Sequence, residues 1–400
     1  MSGPVRSGPT VYDPDTMGSI VAKVRKEREA PGEGPGAPGF TRRVQRTGSS
    51  SLSITLPKAW TDSMNLQTGD TLRFRDLGGG RLEISPARSD VPTEAHQKLL
   101  RIDASDAPPK LLARLLIGAY MTGQDRIVLT SVPTLTAEQR AEVRRTVGHV
   151  LGMTVVEEDS GALEVQNFVD PGKYHFQRLM SQVVRILRTE LQTCRAVLSG
   201  GDPSALEQLG PMEDEVDRFY LLMVRQLLLS SDDFQVARDI GVESHHFQMG
   251  NRLIAKVLEV AGDLTSGVAA ELAHHRAGLR RLPKPAAAEL ASLVDRVDGF
   301  LDRTMDAFTR LSVVDANANL NEIERAFAES SPLGDALARR VTDRSVAVAA
   351  QRIVSNLLMT LEMLVIINEV TINRGVEPET VAKTDRKVAM NSREDPGPSR

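Results

Sequence analysis

The sequence predicts a multidomain protein with a small N-terminal β module, an α/β middle unit and a long all-α C-terminal region. This division follows the changes of hydrophobic periodicity along the 400 residues. Apolar and polar residues alternate over residues 41–86, which is typical of strands. From Asp170 onward apolar residues recur at helical spacing, and residues 97–168 combine both patterns, which indicates an α/β or ferredoxin-like unit.

The composition is that of a soluble and mildly acidic protein. Hydrophobic residues make up 41% of the chain and the formal net charge is −4, which excludes a uniformly basic nucleic-acid binder. No uninterrupted apolar run reaches the roughly 18 residues that span a bilayer. The single Cys194 cannot form an internal disulfide. We therefore expect a cytoplasmic protein without membrane insertion, with Cys194 buried in a helix.

Six segments are predicted along the chain. The Pro- and Gly-rich start is predicted to be a flexible leader, and the polar end a disordered tail. The helical region divides near Pro283 and Pro285 into two halves with three helices each. The predicted segments are the leader 1–39, the β module 40–87, the α/β domain 97–169, the helical repeats 170–278 and 284–378, and the tail 379–400.

The β module begins with a strand that has one apolar and one polar face. Leu52, Ile54 and Leu56 alternate there with hydroxyl residues, and Pro57 ends the strand before a short helix. The Gly-rich stretch 77–80 joins two further predicted strands. A phosphate-cradling loop is the alternative interpretation of this stretch, but no helix follows it, so we predict a hairpin turn.

The β module is locally basic. Residues 41–86 hold seven Lys or Arg and four Asp or Glu, a net charge of +3. About 45 residues cannot bury enough apolar surface alone, so we expect the module to pair with a second copy. Such a dimer doubles its cations, which attract phosphate backbones. The cations at the strand ends and in the loop are Arg42, Arg43, Arg46 and Lys58.

Three motifs of the module resemble the SpoVT/AbrB domain. They are RRVQRTG at 42–48, SLSITLPK at 51–58 and LQTGD at 66–70, within a likeness of roughly 45 residues. The resemblance implies a swapped-hairpin dimeric β-barrel in which Arg42, Arg43, Arg46 and Lys58 contact DNA. The alternative is a barrel retained only for dimerisation.

Two pairs of carboxylates in the helical region have metal-ligand chemistry. Glu213 and Asp217 form one pair, and Glu259 and Asp263 the other; the spacing i, i+4 places both members on one side of a helix. Hard oxygen ligands suit Mg²⁺, Mn²⁺ or iron, whereas zinc usually takes His or Cys. A solvated charged face beside Lys256 explains the second pair equally well.

Helical periodicity predicts which faces of these two helices are buried. The predicted core stripe of the first contains Val216, Phe219, Tyr220, Met223 and Leu227. The predicted core stripe of the second contains Leu253, Val257, Val260 and Leu264. Glu213 and Asp217 lie at the edge of the first stripe, whereas Glu259 and Asp263 lie well away from the second.

The segments EDEVDRFY at 213–220 and LEVAGDL at 258–264 resemble the paired Glu-x-x-x-Asp motifs of PhoU domains. This resemblance covers roughly residues 171–378 and implies tandem three-helix bundles with a metal cluster. The second repeat departs from the pattern, because Leu320 and Ile366 stand where carboxylates are expected. We therefore predict a single metal site, in the first repeat.

The order of the parts resembles archaeal-type PhoU proteins with an N-terminal SpoVT/AbrB domain. This implies a non-enzymatic, DNA-binding transcriptional regulator of phosphate uptake that forms a homodimer or a higher homo-oligomer. The alternative is an adaptor that contacts a phosphate ABC transporter or a sensor kinase, with the β module serving only for dimerisation. A two-metal hydrolase is a third hypothesis, although no nucleotide-binding or hydrolase fingerprint occurs in the sequence.

Overall fold

The computed structural model describes residues 41–48, 51–78, 81–86, 98–242, 245–279 and 282–377. The chain forms two compact units, Met1–Arg101 and Ile102–Arg400. The predicted flexible leader and disordered tail lie outside the described residues.

The first unit contains two antiparallel hairpins and a short helix. β1 (Gln45–Thr47) pairs with β2 (Ser51–Ser53), and β3 (Leu72–Gly78) pairs with β4 (Arg81–Pro86). Between the hairpins, α1 (Lys58–Ser63) begins directly after Pro57. The hairpins form two separate two-stranded sheets, so the small N-terminal strand region predicted from the sequence is present.

The apolar side chains of this unit are exposed. An isolated two-stranded hairpin is at best marginally stable in water because it buries too little apolar surface. The exposed side chains, with their exposed fractions, are Val44 (59%), Leu52 (71%), Ile54 (49%), Phe74 (58%) and Leu82 (57%). Both hairpins therefore present apolar faces that the described part of this unit does not cover.

A four-stranded sheet with two helices follows. The predicted strands and helices are all present, but their order β-α-β-α-β-β differs from the β-α-β-β-α-β order of a ferredoxin-like unit. The strands stand in the order β5-β6-β8-β7. The elements are β5 (Leu99–Asp103), α2 (Leu111–Met121), β6 (Arg126–Thr130), α3 (Ala137–Gly148), β7 (Met153–Glu158) and β8 (Ala162–Asn167).

The rest of the described chain is mostly helical, with six helices of 18 or more residues. The predicted helix start at Asp170 is wrong in position: the Asp170 carboxylate caps a 3-10 turn, and the first long helix begins at Phe176. The helices are α4 (Phe176–Leu198), α5 (Gly210–Asp232), α6 (Phe234–Asp239), α7 (His245–His274), α8 (Arg276–Leu279), α9 (Lys284–Arg310), α10 (Val313–Ser330), α11 (Leu333–Arg340) and α12 (Arg344–Gly375).

The six long helices fall into two groups of three. In the first group α4, α5 and α7 pack on one another, and in the second α9, α10 and α12 do so. Contacts between α4 and α9 and between α7 and α12 join the groups, and one buried apolar cluster runs through both. Cys194 lies buried in this cluster.

Among the described helices, only α12 combines the length and the hydropathy that a membrane span requires. Its most apolar stretch has a mean hydropathy of 1.6, and 44% of that stretch is buried in the protein. The sequence prediction relied on uninterrupted apolar runs, which the polar residues Asn356, Thr360 and Glu362 break. The helix packs against α7, α9, α10 and α11, which is the position of a core helix.

Candidate functional site

The four predicted DNA-contacting cations lie in the first unit, at its first hairpin and at the start of α1. Arg42, Arg43, Arg46 and Lys58 are all exposed. The register of β1 and β2 pairs Arg46 with Leu52, so these two side chains lie on the same face of the hairpin. The cation on β1 therefore stands beside the exposed apolar surface.

The opposite face of this hairpin carries hydroxyl groups. Gln45 and Thr47 pair with Ser53 and Ser51 respectively, and the Thr47 and Ser53 hydroxyl oxygens are 2.8 Å apart in a hydrogen bond. Hydroxyl side chains frequently bond phosphate oxygens in protein–DNA interfaces. The predicted DNA-binding residues do not include this hydroxyl face. The alternation of Ser51 and Ser53 with Leu52 and Ile54 is the signal in the sequence that indicates it.

The structure brings the two predicted carboxylate pairs of the helical region together. Partial loss of water raises the pKa of Asp217, and the charges of Glu259 and Glu213 raise it further. Partial loss of water also raises the pKa of Asp263 to about 6, with further contributions from Glu259 and Asp217. Because these charges act on one another and α5 packs against α7, we name the four residues together the carboxylate cluster: Glu213, Asp217, Glu259 and Asp263.

A lysine compensates part of this negative charge. The Lys256 ammonium forms an ion pair with the Glu259 carboxylate. It also lies 5.3 Å from the centre of the Tyr220 ring, and the Arg252 guanidinium lies 5.6 Å from the same ring. Glu259 is thus paired, whereas Glu213, Asp217 and Asp263 are exposed.

A fifth carboxylate, which was not predicted from the sequence, lies in the core near this cluster. Glu190 on α4 is fully buried and accepts hydrogen bonds from the hydroxyls of Thr265 and Ser266. Burial raises its pKa, and the charge of Glu213 contributes in the same direction. A carboxylate within the apolar stripe of α4 was the signal in the sequence.

The predicted core stripe of α5 agrees with the structure. The predicted stripe of α7 is right at Val257, which is buried, but wrong at Leu253, and it omits several core residues. Leu253 is 46% exposed, whereas Ile254, Leu258 and Ala261 are fully buried. The reason is that α7 packs against α4, α5 and α12 at once, so most of its circumference is covered. Glu259 consequently lies at the edge of the α5–α7 interface, with 12% of its side chain exposed, and not on a distant solvated face.

The cluster has the carboxylate oxygens that a hard metal ion requires, but its side chains are not arranged so that three of them reach one ion. Carboxylate oxygens suit Mg²⁺, Mn²⁺ or iron. Within the described residues, however, no three His, Cys, Asp or Glu side chains stand where they could hold one ion. The four-carboxylate metal site stays a prediction.

The second helical group has buried amides in place of a carboxylate cluster. The Asn368 amide donates to the Thr304 hydroxyl over 2.9 Å and to the Leu364 carbonyl, and the Asn319 amide donates to Asn368 over 3.4 Å. All three polar side chains of this network are buried. The acidic residues that stand four positions from Leu320 and from Ile366 in the second repeat, Glu324 and Glu362, are exposed.

The C-terminal half of α5 contacts the α/β unit through a buried arginine. Arg225 is 1% exposed, and its guanidinium donates to the carbonyls of Tyr120 and Gln124 over 2.6 and 3.0 Å. It also pairs with the Asp125 carboxylate over 2.7 Å. These hydrogen bonds and the ion pair therefore connect α5, which carries Glu213 and Asp217, to the turn between α2 and β6.

The raised pKa of Asp263 predicts a pH-dependent stability. The folded state keeps the Asp263 proton up to about pH 6, whereas the unfolded chain releases it near 3.9. The folded state thus binds more protons between these values, and this group lowers the free energy of unfolding as pH rises through the window. Asp263→Asn should remove that contribution, so the variant should have a higher Tm than wild type at neutral pH.

Thermal unfolding of the metal-free protein, with a chelator present, followed by circular dichroism at about pH 4.5 and about pH 7.5, tests this expectation. Glu324→Gln, at an exposed position of α10, is the matched control and should not reproduce the gain. Equal pH dependence in wild type and Asp263→Asn contradicts the assignment.

A comparison with family sequence models supports the assignment of the N-terminal module. The family described as Antidote-toxin recognition MazE, bacterial antitoxin, matches residues 45–91. The match begins at β1 and includes both hairpins, in agreement with a module of the SpoVT/AbrB type. Neither the curated proteins nor the solved structures searched gave a match. The PhoU resemblance of the helical region stays a hypothesis from the sequence.

Proposed function

We propose that the protein is a dimeric DNA-binding regulator, with a DNA-binding barrel built from two copies of the N-terminal module. The observation that carries this proposal is the combination of exposed cations with exposed apolar faces on a module that matches an antitoxin family. Domains of the AbrB and MazE type bind DNA and form oligomers. The helical region is the proposed sensing part.

Dimerisation follows from the uncovered apolar surface. Five large apolar side chains of the module are 49% or more exposed. Burying such surface is favourable by about 25 cal/mol for each Å² removed from water. A second copy offers the same faces, so a swapped pair of hairpins covers them and removes the free strand edges at the same time.

The cations give the dimer a polyanion-binding surface. Two copies bring together eight Arg and Lys side chains from Arg42, Arg43, Arg46 and Lys58. Neutralising a phosphate releases condensed counterions, so the affinity must fall steeply with salt. The hydroxyls of Thr47 and Ser53, on the other face of the first hairpin from Arg46, add neutral hydrogen-bonding groups.

Phosphate status is the input that we propose for this regulator. The PhoU-like segments 213–220 and 258–264 support it, together with the two groups of three long helices and the meeting of both carboxylate pairs. In this proposal the helical region acts through its carboxylate cluster or through contact with a phosphate ABC transporter or a sensor kinase. It transmits its state to the DNA-binding part without a catalytic step. An effector must bind one of two helical arrangements more tightly to do so.

Metal binding at the carboxylate cluster is a separate proposal. Glu213, Asp217, Glu259 and Asp263 would hold a hard cation, which would neutralise their mutual repulsion. Elemental analysis of the purified protein beside Glu213→Gln/Asp263→Asn tests this. We expect bound Mg, Mn or Fe in wild type and at least a tenfold lower content in the variant, the usual scale for ligand loss. Equal, near-zero metal in both excludes the site.

Titration of a fluorescently labelled duplex with the full chain at several salt concentrations tests the proposed function. We expect log K to fall linearly with log salt, with a slope of about −0.9 for each phosphate neutralised. Leu82→Asp places a charge on the exposed apolar face of the second hairpin, so it should give a monomer and weaken binding. Trp60, the single tryptophan of the chain, lies in α1. Its fluorescence emission therefore reports on the folding of the N-terminal module independently of DNA binding.

The adaptor hypothesis predicts the opposite outcome. If the wild-type chain is dimeric and its retention on duplex DNA is weak and insensitive to salt, the module serves only for assembly. DNA capture and sequencing from cells grown with abundant and with scarce phosphate then tests the proposed input. Identical occupancy in both conditions excludes phosphate as the signal while leaving DNA binding intact.

A further inference from the structure

A cavity of about 410 Å³ lies where the C-terminal ends of α4 and α7 meet the N-terminal end of α9. Its volume lies within the range of small-ligand pockets, roughly 300–1,000 Å³. It shares no residue with the carboxylate cluster or with the cations of the N-terminal module.

The walls of this cavity are mainly apolar. Val197 and Leu198 come from the last turn of α4, Leu272 from α7, and Ala287 from the first turns of α9. Leu272 and Leu282 are buried and belong to the core beneath the cavity. The walls thus come from both helical groups and are held by the packing of long helices, so the cavity is preformed.

A tight turn forms one rim of the cavity. Gly200 has a φ of +97°, and a Cβ added at Gly201 would lie 2.8 Å from the Ala196 carbonyl oxygen. Both positions therefore require glycine for the chain to turn back sharply over the end of α4. The absence of side chains there leaves the cavity open toward solvent.

Positive charge is concentrated at the mouth. Lys284 and Arg276 line the cavity and are exposed. Arg276 pairs with Glu207 over 3.4 Å, and both side chains are exposed; such a surface pair contributes little to stability. The first turn of α9 has no side-chain cap. Pro285 has no N–H, and the remaining N–H groups of this turn add to the positive potential at the same place.

We propose that this cavity binds a small amphiphilic anion, namely a carboxylate on a short alkyl body. The alkyl body lies against Leu198, Leu272 and Ala287, where it is removed from water. The carboxylate lies at the mouth beside Lys284 and the start of α9, where charge-assisted hydrogen bonds are available. Because the occupant touches helices of both groups, binding stabilises their contact.

Isothermal calorimetry of the full chain with octanoate, hexanoate, octanol and inorganic phosphate tests this proposal. We expect octanoate to bind, and hexanoate to bind at least about tenfold more weakly, because each buried methylene contributes roughly fourfold in affinity. Octanol lacks the charge and phosphate lacks the apolar body, so both should bind much more weakly than octanoate.

Two variants separate the cavity from non-specific adsorption. Lys284→Gln should weaken octanoate binding about tenfold and leave octanol unchanged, since it removes only a charged partner. Ala287→Phe should abolish octanoate binding by filling the cavity. Lys173→Gln, an exposed lysine in the 3-10 turn before α4, is the control and should bind like wild type.

Three results overturn the proposal. They are the absence of octanoate binding in the millimolar range, equal affinity for octanol, and equal affinity for inorganic phosphate. Circular dichroism checks the fold of Ala287→Phe; if that variant does not fold, an unchanged octanoate affinity in Lys284→Gln is itself sufficient to reject the site. None of these outcomes depends on DNA binding.

Discussion

Replacing Arg43, Arg46 and Lys58 together with Gln should lower the affinity of the full chain for duplex DNA by about a hundredfold or more at low salt. All three side chains are exposed and lie within the first hairpin and the first turn of α1. A dimer loses six charges by this change, and each lost phosphate contact removes about 0.9 from the salt slope.

The triple substitution should leave the fold unchanged. None of the three side chains is buried, and loss of a cation from the N-terminal end of α1 is not unfavourable to a helix. The far-ultraviolet spectrum, the dimeric state and the Trp60 emission should therefore match those of wild type.

A second triple variant controls for the change of net charge. Arg145, Arg178 and Arg344 are exposed arginines of the second unit, and their replacement with Gln removes the same charge at a distance from the module in sequence. We expect less than about a threefold change in DNA affinity, the scale of screened, distant charges. Equal losses in both triple variants would show that net charge, and not the module, determines binding.

Arg225→Met should be the most destabilising of the single substitutions considered for this chain, with a loss of about 3 kcal/mol in the free energy of unfolding. The substitution preserves most of the side-chain volume but removes the Arg225 donor from both carbonyls. The Tyr120 carbonyl keeps its bond from the Gly123 N–H over 3.1 Å, so the Gln124 carbonyl is the one that loses most. It also leaves the Asp125 carboxylate, which is 35% exposed, without its cation. Most of the loss should come from the buried hydrogen bonds of the guanidinium, the Gln124 carbonyl above all, because water still reaches Asp125.

Chemical unfolding followed by circular dichroism measures this loss. Arg185→Met, an exposed arginine on α4, is the control and should change stability by less than about 0.5 kcal/mol. The double variant Arg225→Met/Asp125→Asn should recover part of the loss, since it removes the carboxylate charge that the Arg225 guanidinium compensates in wild type. The Trp60 emission belongs to the other unit and should not change. A loss for Arg225→Met no larger than that of the control contradicts the proposed role of the buried arginine.

Much of the architecture was predictable because its signals are local in the sequence. Alternation around Leu52 and Ile54 indicated the first hairpin, and the glycines near residue 78 indicated the second turn. Helical periodicity predicted six long helices after Asp170, and six are present in the described residues. Helix boundaries were less predictable. An aspartate such as Asp170 can cap a 3-10 turn as well as an α-helix, and the first long helix begins only at Phe176.

The candidate site was predictable only in part. The spacing of Glu213 with Asp217 and of Glu259 with Asp263 identified four acidic residues, and the structure brings them together. Neither the ion pair of Glu259 with Lys256 nor the buried Glu190 follows from that spacing. The ion pair is local to α7, at the spacing i, i+3, whereas the burial of Glu190 depends on how α4 packs against α7.

The sequence by itself determined the kinds of elements, the basic character of the N-terminal module and the presence of two carboxylate pairs. These properties depend on residues within a few positions of one another. Only the tertiary structure decided that Leu253 is exposed, that Arg225 is buried against the α/β unit and that Asn319 meets Asn368. The burial of a side chain depends on helices that are distant along the chain, and a helix packed on several sides does not show one apolar stripe.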